Sequence, residues 1–112
     1  MQLNELLAQI KSHAELVDFN EVITVITENY RYQPCTFSNG ELINKAGTNE
    51  GSCKIFAFAL LHHLSELETL ACFGHYYRED VLQNPQGEDH GNIRNFIKRG
   101  WQGVSFEGEA LS

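Results

Sequence analysis

Among the 112 residues of this chain, Cys53 has the setting best suited to chemistry. It follows Gly51-Ser52 at the expected start of a helix, and Lys54 comes next. The positive end of a helix and a nearby ammonium both favour a thiolate. A thiolate nucleophile also needs a base and a group that orients the base. His75 and His90 are the candidate bases, with His62 and His63 behind them. Glu79, Asp80, Asp89 and Asn92 are candidates to orient it. Such a set would serve acyl transfer or hydrolysis. The competing reading is structural, because free cysteine is commonly a small buried hydrophobe. Cys72 lies in an apolar stretch and fits that reading, whereas Cys35, in a loop after Pro34, carries no signal.

A second constellation joins His75 and Glu79, four residues apart and so on one helix face, with Asp89-His90 further along. It suits a small ligand or a metal held by imidazole and carboxylate. No H-E-x-x-H or zinc-ribbon spacing is present, so no metal and no cofactor are assigned. Arg78 and Arg94 can each clamp a carboxylate or phosphate in bidentate fashion. Tyr76, Tyr77 and Trp101 supply aromatic walls for such a pocket. The plainer alternatives are ion pairs with the abundant acidic neighbours and aromatics that seal the edge of the domain.

The elements that must position these groups are mostly helices. Leu3, Leu6, Leu7 and Ile10 have helical spacing. Asp18 with Glu21 three residues on opens a second helix, whose stripe is Val22, Ile23, Ile26 and Tyr30. Residues 31 to 51 are broken by Pro34, Asn39-Gly40, Gly47 and Gly51. A short hairpin is expected there, with Thr36-Phe37-Ser38 and Glu41-Leu42-Ile43 around Asn39-Gly40. Ser52 to about His63 is apolar on nearly every face and must be a central buried helix. Ser65 and Glu68 form a capping box for the next helix, which Gly74 closes. Tyr76 to Gln83 reads as a further short helix, ended by Asn84-Pro85-Gln86-Gly87. Asp89 is the expected cap of the last helix, with Ile93, Phe96 and Ile97 as its stripe and Gly100 as its stop. The tail from Val104 to Leu111 is expected to be extended. These features predict a mainly α, compact single domain over residues 1–112, with about five helices and a short hairpin or extended segments.

Charge and length narrow the function classes. Fifteen Asp and Glu face eight Lys and Arg, a formal charge of −7. Such a surface repels phosphate backbones, and nucleic-acid binding is not expected. The one basic cluster, Arg94, Lys98 and Arg99, lies where a helix ends and cations favour its dipole. The apolar run Ile55 to Leu61 is too short to cross a bilayer, so no membrane span is expected. Three widely spaced cysteines do not form a disulfide framework and suit a reducing compartment such as bacterial cytoplasm. The oligomeric state is open.

Several segments, in this order, resemble the HopJ type III effector family. They are Gly51-Ser52-Cys53-Lys54-Ile55-Phe56-Ala57-Phe58, Thr69-Leu70-Ala71-Cys72-Phe73-Gly74 and Tyr76-Tyr77-Arg78-Glu79-Asp80-Val81-Leu82. Asp89-His90, Asn92-Ile93-Arg94-Asn95-Phe96, Gly100-Trp101 and Phe106-Glu107-Gly108 complete them. The resemblance spans nearly the whole chain. It implies a link to type III secretion by bacteria and action on a protein partner, and it brings no catalytic residues. The first 17 residues depart from the flexible, Ser-rich start of secreted effectors, having one serine, Ser12, and a regular helical stripe. Three functions are therefore carried forward: an interaction protein, a cysteine-dependent hydrolase or acyltransferase, and a small-ligand or metal-binding domain.

Overall fold

The computed structural model describes residues 1–112. Five α-helices occur in chain order: α1 (Leu3–Ser12), α2 (Phe19–Asn29), α3 (Glu50–Leu61), α4 (Glu66–Ala71) and α5 (Gly91–Arg99). Three short strands accompany them: β1 (Phe37–Asn39), β2 (Leu42–Asn44) and β3 (Val104–Phe106). The strands form an antiparallel sheet in the order β2-β1-β3. The fold is thus α/β, and the expectation of a mainly α domain is corrected.

The reason is long-range pairing. The hairpin turns at Gly40, which takes the positive φ that a type II′ turn demands at its first central position. Its strands run one residue later than Asn39-Gly40 alone suggests, because Asn39 pairs with Leu42 inside the ladder. Two strands this short are marginal by themselves. The C-terminal tail completes the sheet, with Phe37 opposite Phe106, Ser38 opposite Ser105 and Asn39 opposite Val104. Pairing continues along the same line through Glu107 N–H to Thr36 O at 3.0 Å, Gln33 N–H to Ala110 O at 2.8 Å and Arg31 N–H to Ser112 O at 2.9 Å.

The core is organised around α3, whose Cys53 and Ile55 to Ala59 are all buried. Phe56 is the hub: its ring lies 5.0 Å from Phe96, 5.5 Å from Phe73, 6.0 Å from Phe37 and 6.2 Å from Trp101. Phe37 stacks on Phe106 at 5.1 Å, which ties the sheet to this cluster. α3 ends in a Schellman motif. His63 takes the left-handed conformation, Leu64 N–H reaches Ala59 O at 2.9 Å, and His63 N–H reaches Leu60 O at 3.3 Å.

Two further connections set the site. α4 starts at the expected capping box, with Glu68 N–H donating to Ser65 Oγ and Ser65 N–H to Glu68 Oε1. Gly74, at φ +59°, follows it. A Cβ there would stand 2.8 Å from Phe19 N, so only glycine lets the start of α2 approach this closely. Tyr76–Val81 is then π-helical, where a short α-helix is the sequence expectation. π-helical turns are rare and are frequent at functional sites.

Candidate functional site

Two helices begin at the wall of one cavity. Asn49, Gly51 and Ser52 at the start of α3, and His90, Gly91 and Asn92 at the start of α5, line a space of about 430 Å³. Phe19, Phe73, Tyr76 and Ile93 supply its apolar side. α3 starts earlier than Ser52 because Asn49 serves as its N-cap, and α5 starts at Gly91 because His90, not Asp89, is its N-cap. Both N-caps are left-handed, at φ 49° and 52°, and neither side chain caps its helix. The first intrahelical donors are Cys53 N–H to Asn49 O and Arg94 N–H to His90 O. The N–H groups of Glu50, Gly51 and Ser52, and of Gly91, Asn92 and Ile93, donate to no protein acceptor. A left-handed residue followed by helical ones turns successive N–H groups into a concave nest for an anion, and the helix dipoles add to it.

Buried amides hold the two helix starts in register. Asn39, Asn44 and Asn92 are at most 7% exposed. Asn92 Nδ2 donates to Asn44 Oδ1 at 2.9 Å, and Asn44 Nδ2 returns to Asn92 Oδ1 at 3.1 Å. Asn39 Nδ2 donates to Asn92 O at 2.8 Å and to its Oδ1 at 3.0 Å. Asn49 Nδ2 donates to Asn44 Oδ1 at 2.6 Å, which carries the network from the second residue of α5 to the N-cap of α3. Sequence reasoning missed this network. Its one signal is the recurrence of asparagine at 39, 44, 49, 92 and 95, three of which fall in a hairpin and loop where the residue is ordinary.

His90 lines the cavity, and its Nε2 lies 3.0 Å from Asp80 Oδ2 and 3.7 Å from Asp89 Oδ2. Its ring packs 5.2 Å from Tyr76, and Tyr76 meets Phe19 edge-on at 5.0 Å. The π-helical segment thereby delivers both Tyr76 and Asp80 to His90.

The remaining expected site residues are dispersed. Cys53 is 1% exposed, one turn inside α3. Burial pushes its thiol up, against weaker help from the Cys35 backbone and Tyr32. Its Sγ makes a long contact of 3.9 Å to Cys35 O, and its polar neighbours are Cys35, Tyr32 and Glu50, not His75 or His90. The Tyr32 hydroxyl beside it is buried without a partner of hydrogen-bonding geometry. Lys54, the expected activating cation, sits over the Tyr32 ring at 4.7 Å. Cys72 is buried and pushed up to about 12 by desolvation. His75 is exposed and rests on Tyr76 at 4.2 Å, and Glu79 is exposed.

The arginines are structural. Arg78 donates to Val17 O at 2.7 Å and Ala14 O at 3.3 Å, locking the link between α1 and α2. Arg94 donates to Asp89 O and Asp89 Oδ1 at 2.6 Å and to Asn84 O at 2.8 Å, closing the loop before α5. Its guanidinium holds the Asp89 carboxyl below the usual carboxylate range. Trp101 Nε1 donates to Leu64 O at 3.2 Å, and the ring packs on Phe96 and Phe56. Of the residues singled out, the candidate base His90 meets Asp80, Asp89 and the Tyr76 ring, Asp89 also meets Arg94, and His75 rests on Tyr76. No group of three or more His, Cys, Asp or Glu converges as a metal site.

The family profile described as HopJ type III effector protein matches residues 3–111. The chain belongs to the HopJ family. The crystal structure of VPA0580, a protein of unknown function, superposes with a TM-score of 0.98 at 49% identity. The match covers 100% of this chain and 93% of that one. No curated protein matches the sequence. Membership connects the HopJ chain to type III secretion, and no helix in it is long and apolar enough to cross a membrane. The family assigns no residue a role, so the paired helix starts stand on geometry.

Proposed function

We propose that this HopJ-family protein acts by binding, and that its cavity takes a small ligand with an anionic group beside an aromatic or apolar body. The observation that carries the reading is the convergence of two left-handed, side-chain-free helix starts on one space. Each leaves unpartnered N–H groups in its first turn, and the asparagine amides, buried at 44 and 92 and reaching α3 through Asn49, fix their separation. Non-glycine residues with positive φ are costly, and such strain persists where surroundings enforce it, often at ligand sites. The chain has three of them, and the third, His63, belongs to the Schellman motif. Phe19 and Tyr76 offer faces for the ligand's body, and His90 adds a hydrogen-bonding group that Asp80 orients.

Thiol catalysis finds little support in this arrangement. A nucleophilic cysteine needs access, a depressed pKa and a base within reach. Cys53 is buried, its thiol is raised, and no histidine is among its polar neighbours.

The test is an NMR titration of the native protein with inorganic phosphate and with phenyl phosphate. Saturable shifts confined to the amides of 50–52 and 91–93, tighter for phenyl phosphate, are the expected result. Non-saturable shifts, or shifts scattered over the surface, would reject the site.

A further inference from the structure

Further along α5 the molecule has a second recognition feature, a depression that shares no lining residue with the cavity. Val81, Leu82, Pro85, Ile97 and Lys98 surround a depression of about 240 Å³ between the end of the π-helical segment and the outer face of α5. Its apolar rim is open, with Leu82 52% and Ile97 46% exposed. Lys98 also borders a second groove of about 510 Å³, which it shares with Glu41, Leu42, Gly91, Asn95 and Arg99. Leu42 is 40% exposed there.

The charge here runs against the rest of the chain. Acidic residues outnumber basic ones by 15 to 8, yet Lys98 forms no ion pair. Arg99 has one loose contact, 3.9 Å to the exposed Glu41. Arg94, the other member of the basic cluster, is consumed by the loop before α5. The helix dipole rewards cations in the last turn, but it does not place exposed leucine and isoleucine around them. Asp89 offsets Arg94 and Glu41 lies loosely beside Arg99, so Lys98 is the uncompensated charge of this face; carboxylates farther off than the Debye length of about 8 Å at physiological ionic strength are largely screened.

We infer that this face of α5 docks an acidic, amphipathic protein segment. An aliphatic side chain of the partner fills the space between Leu82 and Ile97, and its carboxylates pair with Lys98 and Arg99. Apolar contact supplies the affinity and the cations select the partner, as in a small interface with an apolar centre and a charged rim.

The experiment compares two sets of decapeptides that share a Leu-x-x-Leu centre and differ in flanking Glu/Asp or Lys/Arg, followed by NMR on the full chain. Acidic peptides are expected to shift the amides of Leu82, Ile97 and Lys98. Ile97→Asp and Lys98→Glu should each weaken binding about tenfold, equivalent to about 1.4 kcal/mol. Both positions are exposed, and circular dichroism of each variant confirms the fold independently. Equal binding of acidic and basic peptides, no binding by either, or an unchanged affinity in Lys98→Glu would overturn the assignment. So would self-association of the chain that Ile97→Asp abolishes without any peptide binding, which would make the occupant a second copy.

Discussion

The starts of α2 and α4 differ in kind from the starts of α3 and α5. At α2, Asp18 accepts from Glu21 N–H at 3.1 Å, and at α4 Ser65 and Glu68 satisfy each other's N–H groups. These ends are closed by residues adjacent in sequence. At α3 and α5 the N-caps are left-handed, their side chains point elsewhere, and first-turn residues of both helices line a common cavity. The energy that caps the first pair locally is spent in the second pair on a buried amide network. A self-capped helix start is a structural fixture. An uncapped start held rigid from behind is a preorganised acceptor for an anion, because its ordering cost is met before the ligand arrives.

The largest effect should come from removing what holds the open pair. Asn92→Ala deletes both halves of the exchange with Asn44 and one of the two acceptors of Asn39, leaving buried amide groups short of partners. Chemical denaturation should show a loss of about 3 kcal/mol, since each orphaned buried polar group costs about 1–3 kcal/mol. Phenyl phosphate binding should disappear with it. Ser65→Ala should cost about 1 kcal/mol, the ordinary value of a lost cap, and leave ligand affinity unchanged. A change in affinity would show that the two kinds of helix start are not independent.

Ser52→Asp converts an open start toward the closed kind. A carboxylate in the first turn of α3 should add about 0.5 kcal/mol through the dipole. Thermal denaturation should register that gain while phenyl phosphate binding is lost, because the protein then carries its own anion. Binding that survives would break the comparison. The smallest effect concerns the far end of α3, where His62 contacts the Tyr30 hydroxyl. Burial first, and the neighbouring His63 second, lower the His62 pKa from 6.5. The folded state therefore prefers neutral His62, while the unfolded chain takes up the proton at about pH 6.5. Stability should fall as pH drops below 6.5 toward the folded pKa, then stop changing on this account. Denaturation midpoints of His62→Gln across that window should show a shallower slope than the parent.

Local signals carried much of the helical frame. The Asp18 and Ser65 caps, the stop at Gly100 and the buried α3 are all legible because capping and periodicity act within a few residues, whereas α4 ends at Ala71, short of the expected stop at Gly74. The candidate site was far less legible. Cys53 follows a glycine and a serine in a way that suits a nucleophile, yet the helix begins at Glu50, two residues before Ser52, and the thiol falls inside the core. Asp89 looks like a cap, yet Arg94 claims it and leaves His90 in that position.

Sequence by itself determined which segments are helical, that one of them is the buried axis, and that the chain is HopJ-like. Tertiary structure decided the α/β class, because β3 finds β1 only after the tail has folded back across the molecule. It also decided the function of asparagine. At 39, 44, 49 and 92 an amide donates and accepts equally well in a turn, a cap or a core, and nothing within a few residues selects among them. At 39, 44 and 92 the choice is made by burial, when the loss of water obliges these amides to find one another; the exposed Asn49 joins them through Asn44, and the set fixes two helix starts around one cavity.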